Sequence, residues 1–82
     1  MSIEYRKRGV ILRENLIRLR KKKKLTQAEI AQEIKLTVRQ YSRLEAGTSD
    51  GSVKTWIALK KLLGAKSIDY LLEQTVNVMP QA

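Results

Sequence analysis

The chain has 82 residues, a length that suits one small domain whose core is just large enough for independent folding. Its 17 Lys and Arg residues outnumber 8 Asp and Glu residues, and the net charge of +9 favours a polyanionic partner over a neutral one. The absence of Cys and His excludes disulfides, thiolate or imidazole metal sites, and catalysis by either side chain, so we expect no metal and no cofactor.

The N-terminal region is basic throughout. Residues 1–9 (MSIEYRKRG) are a polar lead-in that forms either an arm or a frayed first turn. From Val10 onward, apolar residues recur on one helical face, which predicts a first helix from Val10 to about Lys23. Residues 6–24 hold ten basic residues and a single acid, Glu14. Such a run forms either a solvated helix face, with cations at a helix C-terminus, or a surface that faces phosphates.

Two capping boxes mark the starts of the next two helices. Thr26 is followed three residues later by Glu29, and Thr37 is followed three residues later by Gln40. In a capping box, the N-cap oxygen accepts a bond from an amide of the first turn, and the N3 side chain accepts one from the N-cap amide. Starts eleven residues apart predict two short helices joined by a tight turn, and Gly47 ends the second of them.

Two further helices follow. Residues 47–52 (GTSDGS) have the composition of a loop whose last residue, Ser52, is the N-cap of the fourth helix, which Gly64 ends. Ser67 caps a fifth helix. Core spacing in the fourth helix turns five residues inward, namely Val53, Trp56, Ile57, Leu59 and Leu63. Trp56 either belongs to this core or stacks on a base, and the lack of aromatic neighbours favours the core.

These elements predict an all-α fold in which five short helices surround one core, and no segment is predicted to form a strand. The tail, residues 75–82, contains the only Pro of the chain. It is either disordered or a strand or arm used in dimerisation. The organisation we expect is a basic lead-in at residues 1–9, one domain at residues 10–74 and this tail.

The spacing of residues 26–47 is typical of one family. Counting from Gln27, apolar residues fall at the fourth, eighth, tenth, fifteenth and eighteenth places, and Ala stands at the fifth. This pattern resembles the helix-turn-helix of the phage-repressor and Cro type, the lambda-repressor-like XRE family, and the match extends from Arg20 to Gly64. The chain departs from the family in the turn, where the usual Gly with positive φ is replaced by Lys35. The resemblance implies that the helix-turn-helix comprises helices 2 and 3.

A helix fits the major groove of B-DNA, and side chains near its N-terminal end meet base edges. On an ideal helix, the side of helix 3 that faces away from the core carries Val38, Arg39, Ser42 and Arg43, which are the base-reading positions of the family. Each Arg either bonds a guanine or contacts a phosphate. The resemblance implies a phosphate contact for Gln27 at the start of helix 2. Further candidate phosphate ligands are Thr37, Gln40, Lys21, Lys22, Lys23 and Lys24.

The resemblance also implies two structural features. Arg20, at the end of helix 1, and Glu45, at the end of helix 3, occupy the places of a partly buried ion pair that holds the recognition helix. Proteins of this type commonly bind as homodimers across half-sites one helical turn apart, about 34 Å. The apolar side of helix 5, with Tyr70 and the tail, either forms the dimer surface or simply closes the core.

The sequence therefore predicts a bacterial or phage transcriptional regulator, most simply a repressor that binds a palindromic operator in double-stranded DNA. Scattered carboxylates and the lack of a Gly-rich phosphate loop argue against an enzyme, and no small-molecule ligand is evident. No stretch has the apolar length of a signal peptide or membrane span, so we expect a cytoplasmic protein with no membrane partner. The alternative is a protein-interaction module, such as an antitoxin or antirepressor, with or without operator binding.

Overall fold

Five helices and a two-stranded ribbon make up residues 10–77, the part of the chain described by the structure, which is a computed structural model. The predicted five-helix class is confirmed. The expected lead-in at residues 1–9 and the end of the tail at residues 78–82 lie outside the described residues. The helices are α1 (Glu14–Lys22), α2 (Gln27–Glu33), α3 (Val38–Glu45), α4 (Val53–Leu63) and α5 (Ile68–Leu72), and the strands are β1 (Val10–Leu12) and β2 (Thr75–Asn77).

The helices α2 to α5 begin where the sequence predicts. Both capping boxes are complete: Thr26 Oγ1 accepts a hydrogen bond from the Glu29 amide at 3.1 Å, and Thr37 Oγ1 accepts one from the Gln40 amide at 3.0 Å. Ser52 and Ser67 cap α4 and α5 in the same way through their hydroxyl oxygens. Four helix starts are thus fixed locally, because each N-cap satisfies an amide that the helix itself cannot pair.

The beginning of the chain differs from the prediction. Val10–Leu12 is a strand that pairs antiparallel with Thr75–Asn77, with Ile11 opposite Val76, and α1 begins only at Glu14. The predicted helix start at Val10 is therefore wrong, and the tail, for which a strand was one of the alternatives, contains one at Thr75–Asn77. Periodicity cannot separate a short apolar run in a strand from one in a helix, and the β-branched side chains on both segments favour the extended form. Residues 75–77 of the tail thus pair within the chain.

The core lies where the helices meet. Its buried apolar members in the described chain are Leu16, Ile30, Ala31, Tyr41, Leu44, Trp56, Leu59, Leu63, Ala65 and Leu71. Trp56 is 3% exposed, which confirms the core prediction over the base-stacking one. Val53 and Ile57 were expected in the core, but 72% and 42% of their surfaces are exposed. The reason is that Trp56 and the leucines fill a narrow inward stripe of α4, and residues 53 and 57 lie beyond its edge.

The turn between α2 and α3 uses a left-handed residue. Lys35 has a φ of 61°, the conformation for which the family usually supplies Gly. The Leu36 amide then donates to the Ala31 carbonyl at 2.9 Å and closes the turn. Ala31 is 1% exposed, so a small side chain occupies the place where the two helices approach. A second left-handed lysine that the sequence did not reveal, Lys24 with a φ of 61°, joins α1 to α2.

Candidate nucleic-acid interface

The outer face of α3 carries the four predicted base-reading side chains. Val38 is 46% exposed, Arg39 and Arg43 are also exposed, and Ser42 is half-buried. Ser42 Oγ donates to the Arg39 carbonyl at 3.0 Å, so its lone pairs remain able to accept a bond. The opposite face, with Tyr41 and Leu44, is buried. The helix therefore presents two guanidinium groups and an apolar side chain outward from one face.

The Glu45 carboxylate fixes the other end of α3. Arg20 Nε donates to Glu45 Oε2 at 2.5 Å and Arg20 Nη2 to Glu45 Oε1 at 3.3 Å, so the ion pair implied by the resemblance is present. Tyr41 donates its hydroxyl proton to Glu45 Oε2 at 2.6 Å. Arg20 also donates to the Leu25 carbonyl at 2.8 Å, which ties the α1–α2 connection to the same group. These buried partners join α1 to α3, and charge-assisted bonds of this kind are short and directional.

Burial and the hydrogen bonds of this cluster shift two pKa values. Burial raises the pKa of Tyr41 above its ordinary value, and the hydrogen bond to Glu45 raises it further. The hydrogen bond to Glu45 raises the pKa of Arg20. Around neutral pH Arg20 is therefore a guanidinium cation and Tyr41 a neutral phenol, and both donate to Glu45.

Gln27, the predicted phosphate ligand, belongs to the same cluster. Its Nε2 donates to Glu45 Oε1 at 2.8 Å, and it is the first residue of α2. An amide nitrogen carries two N–H groups, so this bond orients the side chain and leaves one N–H able to donate outward. We refer to Arg20, Gln27, Tyr41 and Glu45 as the Glu45 network. It connects the start of α2, the end of α1 and the end of α3.

The other predicted phosphate ligands are of two kinds. Thr37 and Gln40 are exposed but occupied with each other, because Gln40 Oε1 accepts from the Thr37 amide at 2.9 Å while Thr37 Oγ1 caps the Gln40 amide. Their hydroxyl and amide protons are the groups left to donate. Lys21, Lys22, Lys23 and Lys24 are exposed at the end of α1 and in the connection to α2.

Sequence analysis did not single out Arg13, which it counted in the basic run of residues 6–24 that forms either a solvated helix face or a surface that faces phosphates. This arginine is 3% exposed, and its Nη1 donates to the carbonyls of Leu44 and Ser49, each at 2.7 Å. Its guanidinium lies 5.0 Å from the centre of the Trp56 ring. The signal that could have found it is the strand at residues 10–12, which places Arg13 before α1 and not on a helix face.

The side of α5 proposed for dimerisation is used within the chain. Leu71 is fully buried, and Ile68 and Leu72 are half-buried against the core. Tyr70 is also engaged: Lys66 Nζ lies 4.8 Å from the centre of its ring, and its carbonyl accepts a bond from Asn15 Nδ2 at 3.0 Å. Sequence analysis offered two roles for this side of the helix, a dimer surface or closure of the core, and the contacts seen here are those of core closure.

The two capped helices, the tight turn and the outward face of α3 define a helix-turn-helix domain. The helix-turn-helix family model matches residues 16–71, more than half of the chain. This chain belongs to that family, the XRE type of DNA-binding transcription regulators.

One relative is the uncharacterized HTH-type transcriptional regulator YqaE of Bacillus subtilis (strain 168). It is 39% identical over 64 residues, which are 78% of this chain and 54% of YqaE. The chain thus spans about half the length of that relative. No solved structure matches the chain significantly. Within residues 10–77, none of the helices has the length and apolar character needed to cross a membrane.

Proposed function

We propose that this chain binds a specific sequence in double-stranded DNA through α3 in the major groove and represses transcription from a palindromic operator as a homodimer. The observation that carries the proposal is the outer face of α3, where Arg39 and Arg43 are exposed while the opposite face is buried in the core. Family membership and the similarity to YqaE, an HTH-type transcriptional regulator, support the same function. A chain with this function would act in the cytoplasm.

Direct readout follows from the chemistry of the exposed side chains. A guanidinium can donate to the O6 and N7 atoms of one guanine at once, and such a pair contributes about 1–3 kcal/mol of discrimination. Arg39 and Arg43 lie four residues apart on α3, so they can address different base pairs. Val38, at the first position of the helix, is apolar and suits a thymine methyl group.

Phosphate contacts set the register of α3 on the duplex. The second N–H of Gln27 is available to donate at the start of α2, where helix amides attract a phosphate. Thr37, Gln40 and the lysines at residues 21–24 add donors whose strength does not depend on sequence. Because Gln27 and α3 share the Glu45 carboxylate, the phosphate contact and the reading helix are held in a fixed relation.

The dimer and the palindrome rest on the resemblance. Two copies related by a twofold axis would place their α3 helices about 34 Å apart, one turn of B-DNA. Within residues 10–77 the apolar side of α5 is largely committed to the core, so the dimer surface we propose includes the exposed part of α5 around Tyr70. Sedimentation of the chain with and without a selected duplex would show whether two copies bind together.

The test of function is selection from random-sequence duplex DNA, carried out with the parent chain, Arg39→Ala and Arg18→Ala. Arg18 is exposed on α1, so its removal matches the charge lost at Arg39 without touching α3. We expect the parent to enrich a palindrome, Arg39→Ala to lose preference at one position of each half-site, and Arg18→Ala to keep the full preference. Enrichment of the same sequence by Arg39→Ala would contradict base reading by this side chain.

One observation favours a second candidate, a protein-interaction module of the antitoxin or antirepressor kind. Val53 and Ile57 expose 72% and 42% of their surfaces one turn apart on α4. An interaction module exposes apolar side chains for its partner, although two such residues alone make a small patch. If the parent chain enriches no sequence and binds random DNA weakly, this candidate replaces operator binding.

A further inference from the structure

A buried arginine, Arg13, lies against the C-terminal end of α3. Arg13 reaches the last turn of that helix in two ways: its Nη1 donates to the Leu44 carbonyl at 2.7 Å, and its backbone amide donates to the Glu45 carbonyl at 3.0 Å. These carbonyls belong to the end of a helix, where backbone acceptors lack partners and a positive charge is favourable. Arg13 thus caps α3 from outside the helix.

The same guanidinium holds the loop that follows α3. Its Nη1 also donates to the Ser49 carbonyl at 2.7 Å, and Trp56 packs against it with the ring centre 5.0 Å away. Trp56 Nε1 in turn donates to the Asp50 carbonyl at 2.7 Å. A Cβ added at Gly51 would stand 2.8 Å from Trp56 Nε1, so the loop lies directly on the indole. Residues 49–51 are therefore fixed on a platform that Arg13 and Trp56 form together.

The backbone segments that Arg13 binds lie next to the side chains that we propose contact DNA. Ser49 and Ser52 line one groove of about 350 Å³ together with Gln40 and Arg43 of α3. Arg43 lies one residue before Leu44, whose carbonyl Arg13 binds. A displacement of this turn would move the Arg43 backbone and one wall of the groove together. Side chains at a binding surface keep a fixed geometry only when the backbone that carries them is held by packing and hydrogen bonds of this kind.

Burial shows that Arg13 does not serve as a DNA contact itself. It is 3% exposed, and burial lowers the pKa of its guanidinium, although an arginine remains charged in proteins. Its Nε has no hydrogen-bond partner among the described residues. An apolar side chain would fill this site without an unpaired donor, so the carbonyl contacts are the feature that requires arginine.

We propose that Arg13 is a positioning residue for sequence-specific DNA binding, which acts by fixing the last turn of α3 and the loop at residues 49–51. This inference rests on the proposed function and deepens it. Arg13 follows β1 directly, and β1 pairs only with β2 among the described elements. Arg13 therefore connects the end of α3 to the two-stranded ribbon through both its side chain and its backbone amide.

The test compares Arg13→Met, Arg13→Lys and a control, Asn15→Ala. Asn15, which lies on α1, is also buried, but its Nδ2 donates to the Tyr70 carbonyl at 3.0 Å and to Glu73 Oε1 at 2.8 Å, away from α3. Affinity for the selected duplex and for a random duplex is measured by fluorescence anisotropy at a temperature where circular dichroism shows each variant folded. The ratio of the two affinities is the readout, because partial unfolding lowers both affinities by the same factor.

We expect Arg13→Met to lower the ratio about tenfold, the size of one impaired base contact, while affinity for random DNA changes less than about twofold. Arg13→Lys should recover part of the ratio, since an ammonium group can bond the carbonyls but lacks the planar guanidinium that packs against the Trp56 ring. Asn15→Ala should leave the ratio unchanged.

An unchanged ratio in Arg13→Met, or an equal fall in Asn15→Ala, would overturn the positioning role. If Arg13→Met does not fold, Arg13→Lys decides the question by the same ratio, and an unchanged ratio overturns the role. If the parent chain has no sequence preference, the proposed function itself is overturned. If the parent has a preference and the Arg13 variants retain it, only the positioning role is overturned.

Discussion

At the scale of single residues, one buried glutamate links three helices of the candidate interface through hydrogen bonds. Glu45 accepts hydrogen bonds from side chains on α1, α2 and α3, and it is 4% exposed. A buried carboxylate with a guanidinium partner and further donors has most of its lost hydration replaced. Removal of Glu45 would leave Arg20 buried without its ion-pair partner, so the individual donors are better probes of the Glu45 network than the acceptor is.

Replacement of Tyr41 by Phe tests one of these donors. The variant loses the 2.6 Å bond to Glu45 and leaves the core packing in place, so we expect the free energy of unfolding to fall by about 1–2 kcal/mol at neutral pH. The control is Tyr70→Phe, whose hydroxyl lies 3.4 Å from an exposed arginine, and here we expect a change within about 0.5 kcal/mol. Urea unfolding measures both.

The pH dependence of the Tyr41→Phe difference has a defined sign. The pKa of Tyr41 is raised above the ordinary 10.0, so the folded state holds the phenolic proton more tightly than the unfolded state. The contribution of Tyr41 is therefore complete below pH 10.0 and declines as the pH rises beyond it. The difference between parent and variant should be constant from pH 7 to 9 and shrink above pH 10. A difference that grows above pH 10 would contradict the buried phenol.

At the scale of elements, the turn between α2 and α3 carries a local strain. Lys35 has a φ of 61°, which crowds a Cβ atom but not a glycine. The turn nevertheless closes, because both flanking helices are anchored by their own capping boxes and by the buried Ala31. The stability of the two flanking helices thus holds Lys35 in a left-handed conformation that a lysine by itself disfavours.

Lys35→Gly should therefore stabilise the chain. Relief of about 1–2 kcal/mol of left-handed strain exceeds the added entropy of the unfolded chain, and we expect a net gain of about 0.5–1 kcal/mol. Lys61→Gly is the control, because Lys61 is exposed inside α4 and glycine there should lower stability by about 0.7–1 kcal/mol. Chemical unfolding distinguishes the two signs, and a loss of stability in Lys35→Gly would contradict the left-handed turn.

At the scale of the whole molecule, local sequence signals predicted the features set by neighbouring residues, such as helix starts. They missed the features set by contacts between residues far apart in the sequence. The capped starts of α2 and α3 follow from residues three positions apart. The β1–β2 ribbon joins residues 65 positions apart at Ile11 and Val76, and no local pattern encodes that pairing. Arg13 was missed for the same reason, since its acceptors are 31 and 36 residues away. The base and phosphate assignments remain predictions.

The net charge of +9 is the other property of the whole chain, and its use in binding can be measured. If Lys22 and Lys23 face phosphates, replacing both with Gln should reduce the slope of log affinity against log salt by about 0.9–1.8, since each phosphate contact contributes about 0.9. The selected sequence should not change, because phosphate contacts carry no direct sequence information. Lys66→Gln is the control, as Lys66 stacks on Tyr70 beside α5 and should leave the slope unaltered. A slope unaffected by the double replacement would assign the lysine run to a solvated helix end, where its charges complement the α1 dipole.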